Sequence, residues 1–272
     1  MTVNEWSPSN SAIPLWMGNP PGFQAGYNQP APTITPYLVE ASGPRGAVVV
    51  LPGGGYGRKA AHEAEPVAQW LNRLGISAFV LDYRVAPYRH PIPLLDARRA
   101  IQLIRARAQE WSVDPDRIGI LGFSAGGHLA STAGTHFEVI EAGELDVVSM
   151  QSFRPNALVL CYPVITFGQY RHNGSMENLL GVNPPVALRE SLSNELQVSA
   201  QTPPTFLWHT ANDASVPVEN SLLFARALSA FRVPFELHIF ADGVHGLGLA
   251  EEHPSSGPWT SLCARWFRGL GF

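Results

Sequence analysis

The stretch that most constrains this chain runs from Arg117 to Ala133, RIGILGFSAGGHLASTA. Its apolar start, Ile118-Gly119-Ile120-Leu121, has the length and composition of a strand buried on both faces of a parallel sheet. Gly122-Phe123-Ser124-Ala125-Gly126 follows and matches G-x-S-x-G. Small residues and Leu129 come next and predict a helix packed close against the sheet. A serine held between strand and helix sits on a sharp, strained turn, and the flanking glycines let the backbone pass without side-chain clashes. Such a turn presents Ser124 Oγ outward, beside the free N–H groups and partial positive charge of a helix N-terminus.

The rest of the chain supplies the sheet this turn needs. Ile34–Glu40 reads as an edge strand and Gly46–Leu51 as a buried one; a helix over Glu63–Leu74 precedes a strand over Ile76–Leu81. The stretch from Pro93 to Trp111 reads as a helix with a solvated basic side, ahead of a turn at Asp114-Pro115-Asp116. Strands over Ala157–Tyr162, Thr205–His209 and Phe235–Phe240 alternate with helices over Val218–Phe231 and Pro258–Arg268. This rhythm predicts an α/β fold: a mostly parallel sheet with helices on both faces and its ligand site at the carboxyl ends of the strands.

Two segments depart from the rhythm. Residues 1–33 are dense in proline and glycine and read as an extended N-terminal arm, leaving 34–272 as the main domain. Within that domain, the polar and glycine-broken segment 163–202 reads as an inserted lid.

A formal charge of 18 − 22 = −4 with no basic run argues against nucleic acid or an anionic membrane as partner. No apolar run reaches the length of a membrane span, and the N-terminal residues lack a signal-like pattern, so a soluble, cytoplasmic protein is expected. Cys161 and Cys263 are too few for a disulfide framework and read as buried thiols.

Pro52-Gly53-Gly54-Gly55-Tyr56-Gly57 leaves the strand ending at Leu51. Lys-Ser or Lys-Thr does not follow these glycines as a phosphate-binding loop requires, and no dinucleotide fingerprint opens a helix here. Consecutive glycines at a strand end suit backbone N–H groups turned toward an oxyanion, with a plain flexible turn as the alternative. A serine hydroxyl needs a base in reach, itself oriented by a third group. Asp213 follows the strand Thr205–His209 and His245 follows Phe235–Phe240, in the order serine, acid, histidine. Asp242 competes as the acid, although its tight loop favours turn capping. His128 and His209 read as structural, and the remaining histidines show no metal-ligand spacing, so neither metal nor cofactor is expected.

These motifs, with Asp82-Tyr83-Arg84, Tyr162-Pro163-Val164-Ile165, Gly174-Ser175 and Asn178-Leu179-Leu180-Gly181, resemble the α/β-hydrolases of the esterase/lipase class, and within them single-domain acetyl xylan esterase-like proteins. The likeness extends from about Leu15 to the C-terminus. It implies Ser124 as nucleophile, His245 as base, Asp213 as orienting acid, and the amides of Gly54, Gly55 and Ala125 as oxyanion hole. Pro52 departs from the related lipases, which have histidine before the glycines. The implied substrates are short acyl esters, foremost acetyl, carried by a small molecule or an acetylated oligosaccharide. Trp16, Tyr56, Tyr88, Trp208 and Trp259 are candidates for a sugar-stacking surface, with core packing as the alternative; Tyr56 and Trp259 are the two assigned to substrate contact. Peptidase-like and arylformamidase-like hydrolases share this order of residues, and a non-catalytic binding protein on the same fold is the alternative of a different class.

Overall fold

The computed structural model describes residues 11–40, 42–140 and 146–272. Among these residues eight strands form one sheet: β1 Ile13–Pro14, β2 Thr33–Tyr37, β3 Arg45–Leu51, β4 Ser77–Asp82, β5 Val113–Phe123, β6 Ala157–Cys161, β7 Thr205–Thr210 and β8 Phe235–Phe240. Their order is β1-β2-β4-β3-β5-β6-β7-β8. The pairs β1·β2 and β2·β4 are antiparallel, and all pairs from β4 to β8 are parallel. Among the described residues seven α-helices accompany the sheet: α1 Glu65–Arg73, α2 Ile92–Ala106, α3 Ala125–Thr135, α4 Asn173–Leu180, α5 Val186–Ser191, α6 Glu219–Ala230 and α7 Trp259–Gly269.

The apolar runs become strands because both of their faces are covered. Ala47, Val49 and Leu51 of β3 enter one buried cluster with Ile101 and Ile104 of α2 and Leu129 and Ala133 of α3. Val48 and Val50 enter another with Val67 and Leu71 of α1 and Trp259 and Phe267 of α7. Register then aligns the carboxyl ends: Leu51 pairs with Gly122, Phe123 with Cys161, and Thr210 with Phe240. The loops that follow these residues therefore open at one edge of the sheet.

Several expectations need correction. Asp114-Pro115-Asp116 lies within the span of β5, but Val113 pairs with Arg45 and Ile118 with Ala47, so the residues between them bulge out of the ladder. Asp114 Oδ1 accepts the Asp116 N–H at 2.9 Å, which is turn chemistry inside a strand. The basic residues of α2 are not a solvated side. Arg98 and Arg99 are buried, with Arg99 gripping Asp146 through two bonds and donating to Leu15 O. Asp96 is also buried and pairs with Arg84. Helical periodicity separates faces, but a second layer of chain covers the face that looked polar.

Arg98 is covered by the chain after α3, donating to His136 O and Glu138 O, and Arg99 is met by Leu15 of the arm. Residues 1–10 of the arm, with Pro8, lie outside the described residues. From residue 11 onward the arm is not free of regular structure: Ile13 and Pro14 pair with Ile34 and Thr33 of β2, and Leu15 is buried. Pro21 O accepts from Arg84, and the Gln29 side chain accepts from Val85 N–H at 2.8 Å. The segment 163–202 is likewise more ordered than its composition suggests. It carries α4 and α5 and buries Val164, Ile165, Phe167, Met176, Leu179 and Leu192 in the main core. It forms a packed wall of the molecule.

Candidate active site

The turn between β5 and α3 is built as its glycines require. A Cβ on Gly122 would collide with the Gly126 carbonyl, and one on Gly126 with the Leu51 carbonyl. Ser124 between them has φ 52° and ψ −117°, a region that side-chain-bearing residues seldom occupy. Its backbone is held at both ends: Ser124 N–H donates to Cys161 O, and Val164 N–H to Ser124 O, each at 3.0 Å.

From this turn Ser124 Oγ lies 2.8 Å from His245 Nε2. His245 Nδ1 lies 2.6 Å from Asp213 Oδ2. A carboxylate can only accept, so Nδ1 carries the proton and Nε2 accepts from the serine hydroxyl. Asp213 is itself well held. Its Oδ1 accepts the N–H groups of Ser215 and Val216, each at 2.9 Å, and Oδ2 lies 3.4 Å from His209 Nε2. Burial alone would raise the pKa of Asp213, but the hydrogen bonds from His209 and His245 outweigh it and hold the carboxyl well below the usual carboxylate range. Asp242 lies 3.7 Å from His253 and forms no part of this chain of bonds.

The glycine loop follows β3 along the same edge. Gly53 N–H is taken by Glu63 Oε2 at 2.7 Å. Gly54 and Gly55 have φ of +132° and +66°, and among the described residues no acceptor takes their N–H groups. Ala125 begins α3, where an N–H has no partner in its own helix. A hydroxyl bonded to an imidazole that is backed by a carboxylate, with free amides on an adjacent loop and helix end, is an arrangement able to transfer an acyl group.

A model of the BD-FAE family matches residues 37–228. The chain belongs to the BD-FAE family. It is 38% identical over 250 residues to the endo-1,4-beta-xylanase B of Butyrivibrio fibrisolvens, covering 90% of this chain and 39% of that protein. It is 34% identical over 232 residues to an acetylxylan esterase of Xylanibacter ruminicola, covering 83% and 44% respectively. The chain thus spans less than half the length of these curated relatives. Among solved structures, an acetyl ester-xyloside bifunctional hydrolase from Caldicellulosiruptor lactoaceticus superposes with a TM-score of 0.93 at 54% identity, over 97% of this chain and 98% of that one. MGS-M1, an α/β hydrolase from a deep-sea metagenome library of the Medee basin, gives 0.71 at 32% identity, over 96% of each chain. The sheet described above is that of the α/β-hydrolase fold.

Within this BD-FAE member the two residues assigned to substrate contact are elsewhere occupied. Trp259 is fully buried, stacked on Trp208 at 5.1 Å between ring centroids and packed near Trp70 and Phe123. It belongs to the core beneath α7 and offers no face to a ligand. Tyr56 is 1% exposed, with its hydroxyl 2.9 Å from His128 Nδ1. Tyr88 and Trp208 are buried as well, leaving Trp16 half-buried among the five aromatics.

Other residues at the site escaped the sequence. His172, the cap of α4, accepts Ser175 N–H on Nδ1 at 3.1 Å, which leaves its Nε2 as the protonated nitrogen. A Cβ built on Gly55 would lie 3.9 Å from His172 Cε1, so this ring stands over the glycine loop. Desolvation, then the neighbouring His245, lowers its basicity. Tyr162 follows β6 directly and its ring meets that of His245 edge-on at 5.0 Å. The strand-end rule that located Asp213 and His245 also points to Tyr162. Glu63, in a single 3-10 turn at Ala61–Glu63, carries no comparable signal.

An open cleft of ≈ 480 Å³ borders His245, with Asn212, Asp242, Val244 and His253 among its walls. Among the described residues no helix is long and apolar enough to cross a membrane, and no cluster of His, Cys, Asp and Glu is arranged to hold a metal ion.

Proposed function

We propose that this chain is a serine carboxylesterase that hydrolyses short acyl esters, foremost acetyl, through an acyl-enzyme. The observation that carries this reading is the unbroken run Ser124 Oγ, His245, Asp213 at 2.8 and 2.6 Å on a strained turn. Ser124 attacks the ester carbonyl while His245 Nε2 takes its proton. The imidazolium formed is stabilised by Asp213, whose four donors keep it ionised. The N–H groups of Gly54, Gly55 and Ala125 receive the oxyanion, each such donor typically contributing about 3–4 kcal/mol. His245 then protonates the departing alcohol, and water activated by the same ring releases the acid.

Acetylated xylo-oligosaccharides are the proposed natural substrates. The names of the Xylanibacter ruminicola and Caldicellulosiruptor lactoaceticus relatives support this choice. The cleft beside His245 gives room for the alcohol portion, with Asn212 and His253 as polar edges. Residues 34–272 act as one catalytic domain. The two free thiols, both buried, accord with a cytoplasmic setting. No nucleic acid or membrane enters the reading.

The test is a substrate panel with wild type and Ser124→Ala: p-nitrophenyl esters of increasing chain length, acetylated xylo-oligosaccharides, and an aryl amide. Acetate is expected to be cleaved fastest, with release of acetate from the oligosaccharide and no activity in the variant. Preferential amide cleavage would move the assignment to a peptidase or formamidase. Full activity in Ser124→Ala would end it.

A further inference from the structure

Glu63 is 2% exposed, and among the described residues no lysine or arginine pairs with it. Burying a carboxylate is costly unless its oxygens are used. Here both are. Oε2 accepts Gly53 N–H at 2.7 Å, and Oε1 accepts the Tyr162 hydroxyl at 2.6 Å. The Tyr162 oxygen in turn accepts Gly248 N–H at 2.8 Å. Gly248 lies three residues beyond His245, and the Tyr162 ring itself rests on His245. The neighbouring His62 donates from Nε2 to Gly246 O at 2.8 Å, gripping the same loop a second time.

This short turn therefore reaches both halves of the site. Gly53 precedes the two glycines with free amides, and a Cβ on it would lie 3.0 Å from Ser124 Cβ and 2.9 Å from Glu63 Oε2. The carboxylate thus fits against the loop only because residue 53 is glycine. On the other side, the loop after β8 carries positive φ at Gly243, Gly246 and Gly248, so its path depends on outside anchors. We infer that Glu63 is a positioning residue: one buried carboxylate fixes the distance between the amides that receive the oxyanion and the ring that moves the proton. This rests on the esterase reading above. Glutamine at 63 has the same shape but one acceptor, so it cannot serve Gly53 N–H and Tyr162 O–H together.

The experiment uses the full chain with Glu63→Gln, Tyr162→Phe and the double variant. Each is assayed for kcat and KM on p-nitrophenyl acetate, for thermal unfolding, and for the rate at which a fluorophosphonate labels Ser124, read by mass spectrometry. Active sites are titrated with the same reagent so that rates refer to folded enzyme. Each single change is expected to lower kcat per titrated site by about 10- to 100-fold with KM within about threefold, as for a reacting group displaced by about an ångström. The double variant should be no worse than the poorer single, because both cut one chain of bonds. Should Glu63→Gln not fold, Tyr162→Phe alone carries the test, since it leaves the Glu63–Gly53 bond in place. Wild-type kcat per site and wild-type labelling rates in the folded variants would overturn the inference while leaving the esterase reading intact, as would fully additive losses. A wild type inert toward both the ester and the fluorophosphonate would overturn the esterase reading and the inference with it.

Discussion

His245 and His128 each lie between a hydroxyl and an acceptor, and of the two only His245 has a carboxylate as that acceptor. His245 has Ser124 Oγ on Nε2 and Asp213 on Nδ1, with 19% of its side chain exposed. His128 has the Tyr56 hydroxyl on Nδ1 and Leu192 O on Nε2 at 2.8 Å, and is wholly buried in α3. The pattern of bonds is nearly the same. A carboxylate partner stabilises a ring that gains a proton; a carbonyl offers a dipole only, and burial pushes the basicity of His128 down to about 3. Charge at the second partner and access at the first suit His245, and not His128, to the proposed role of base.

The comparison can be broken most decisively at Ser124. Ser124→Ala should lower kcat on an acetyl ester by about 10⁶-fold, the scale seen when a triad nucleophile is removed, with unfolding temperature unchanged or raised. A variant within a hundredfold of wild type would mean that His245 activates another group. Asp213→Asn tests the charge directly, because the amide keeps the shape and removes the carboxylate that fixes the tautomer; a loss of about 10⁴-fold in kcat is expected, measured on the same ester. Survival of more than a tenth of the rate would make His245 and His128 equivalent after all.

At the other ring, His128→Leu should cost stability and little rate. It strands the Tyr56 hydroxyl and the Leu192 carbonyl, each worth about 1–3 kcal/mol when buried without a partner, while kcat falls less than tenfold. Chemical denaturation and steady-state kinetics on one preparation distinguish the two effects. The smallest expected signal is in acid. His128 and His90 are both held neutral by burial, at about 3 and about 4, against about 6.5 in the unfolded chain. Below pH 6.5 the unfolded state therefore binds more protons than the folded one, and stability falls as pH falls toward 4. Each ring contributes a slope of at most about 1.4 kcal/mol per pH unit in that window. Unfolding free energies at pH 7, 6, 5 and 4 should show this slope, reduced in His128→Leu; an unchanged slope would place the titrating groups elsewhere.

How much of this was readable before folding depends on how local the cause is. Gly122 and Gly126 must be glycine because of backbone atoms a few residues away or on the next strand, so the turn at Ser124 is written in five consecutive letters. The placement of Asp213 and His245 is legible from the strand count, since register puts every following loop at one edge. The places of Trp259 and Tyr56 are not legible, for the opposite reason. An aromatic residue looks alike in a core and in a cleft, and Trp259 is settled by three other aromatic rings that come from distant parts of the chain. The arginines of α2 are a similar case: periodicity separates its faces, but Leu15 of the arm and His136, Glu138 and Asp146 from beyond α3 take up Arg98 and Arg99.

By itself, then, the sequence determined the alternation of strands and helices, the strained turn, and the order of serine, acid and histidine, because sterics and periodicity act over short stretches. Only the tertiary structure decided which polar residues are buried and what they hold. Glu63 meets Tyr162 across 99 positions, and His62 meets Gly246 across 184. No local pattern encodes such contacts, since they exist only when the packing of the sheet and its loops brings those segments together.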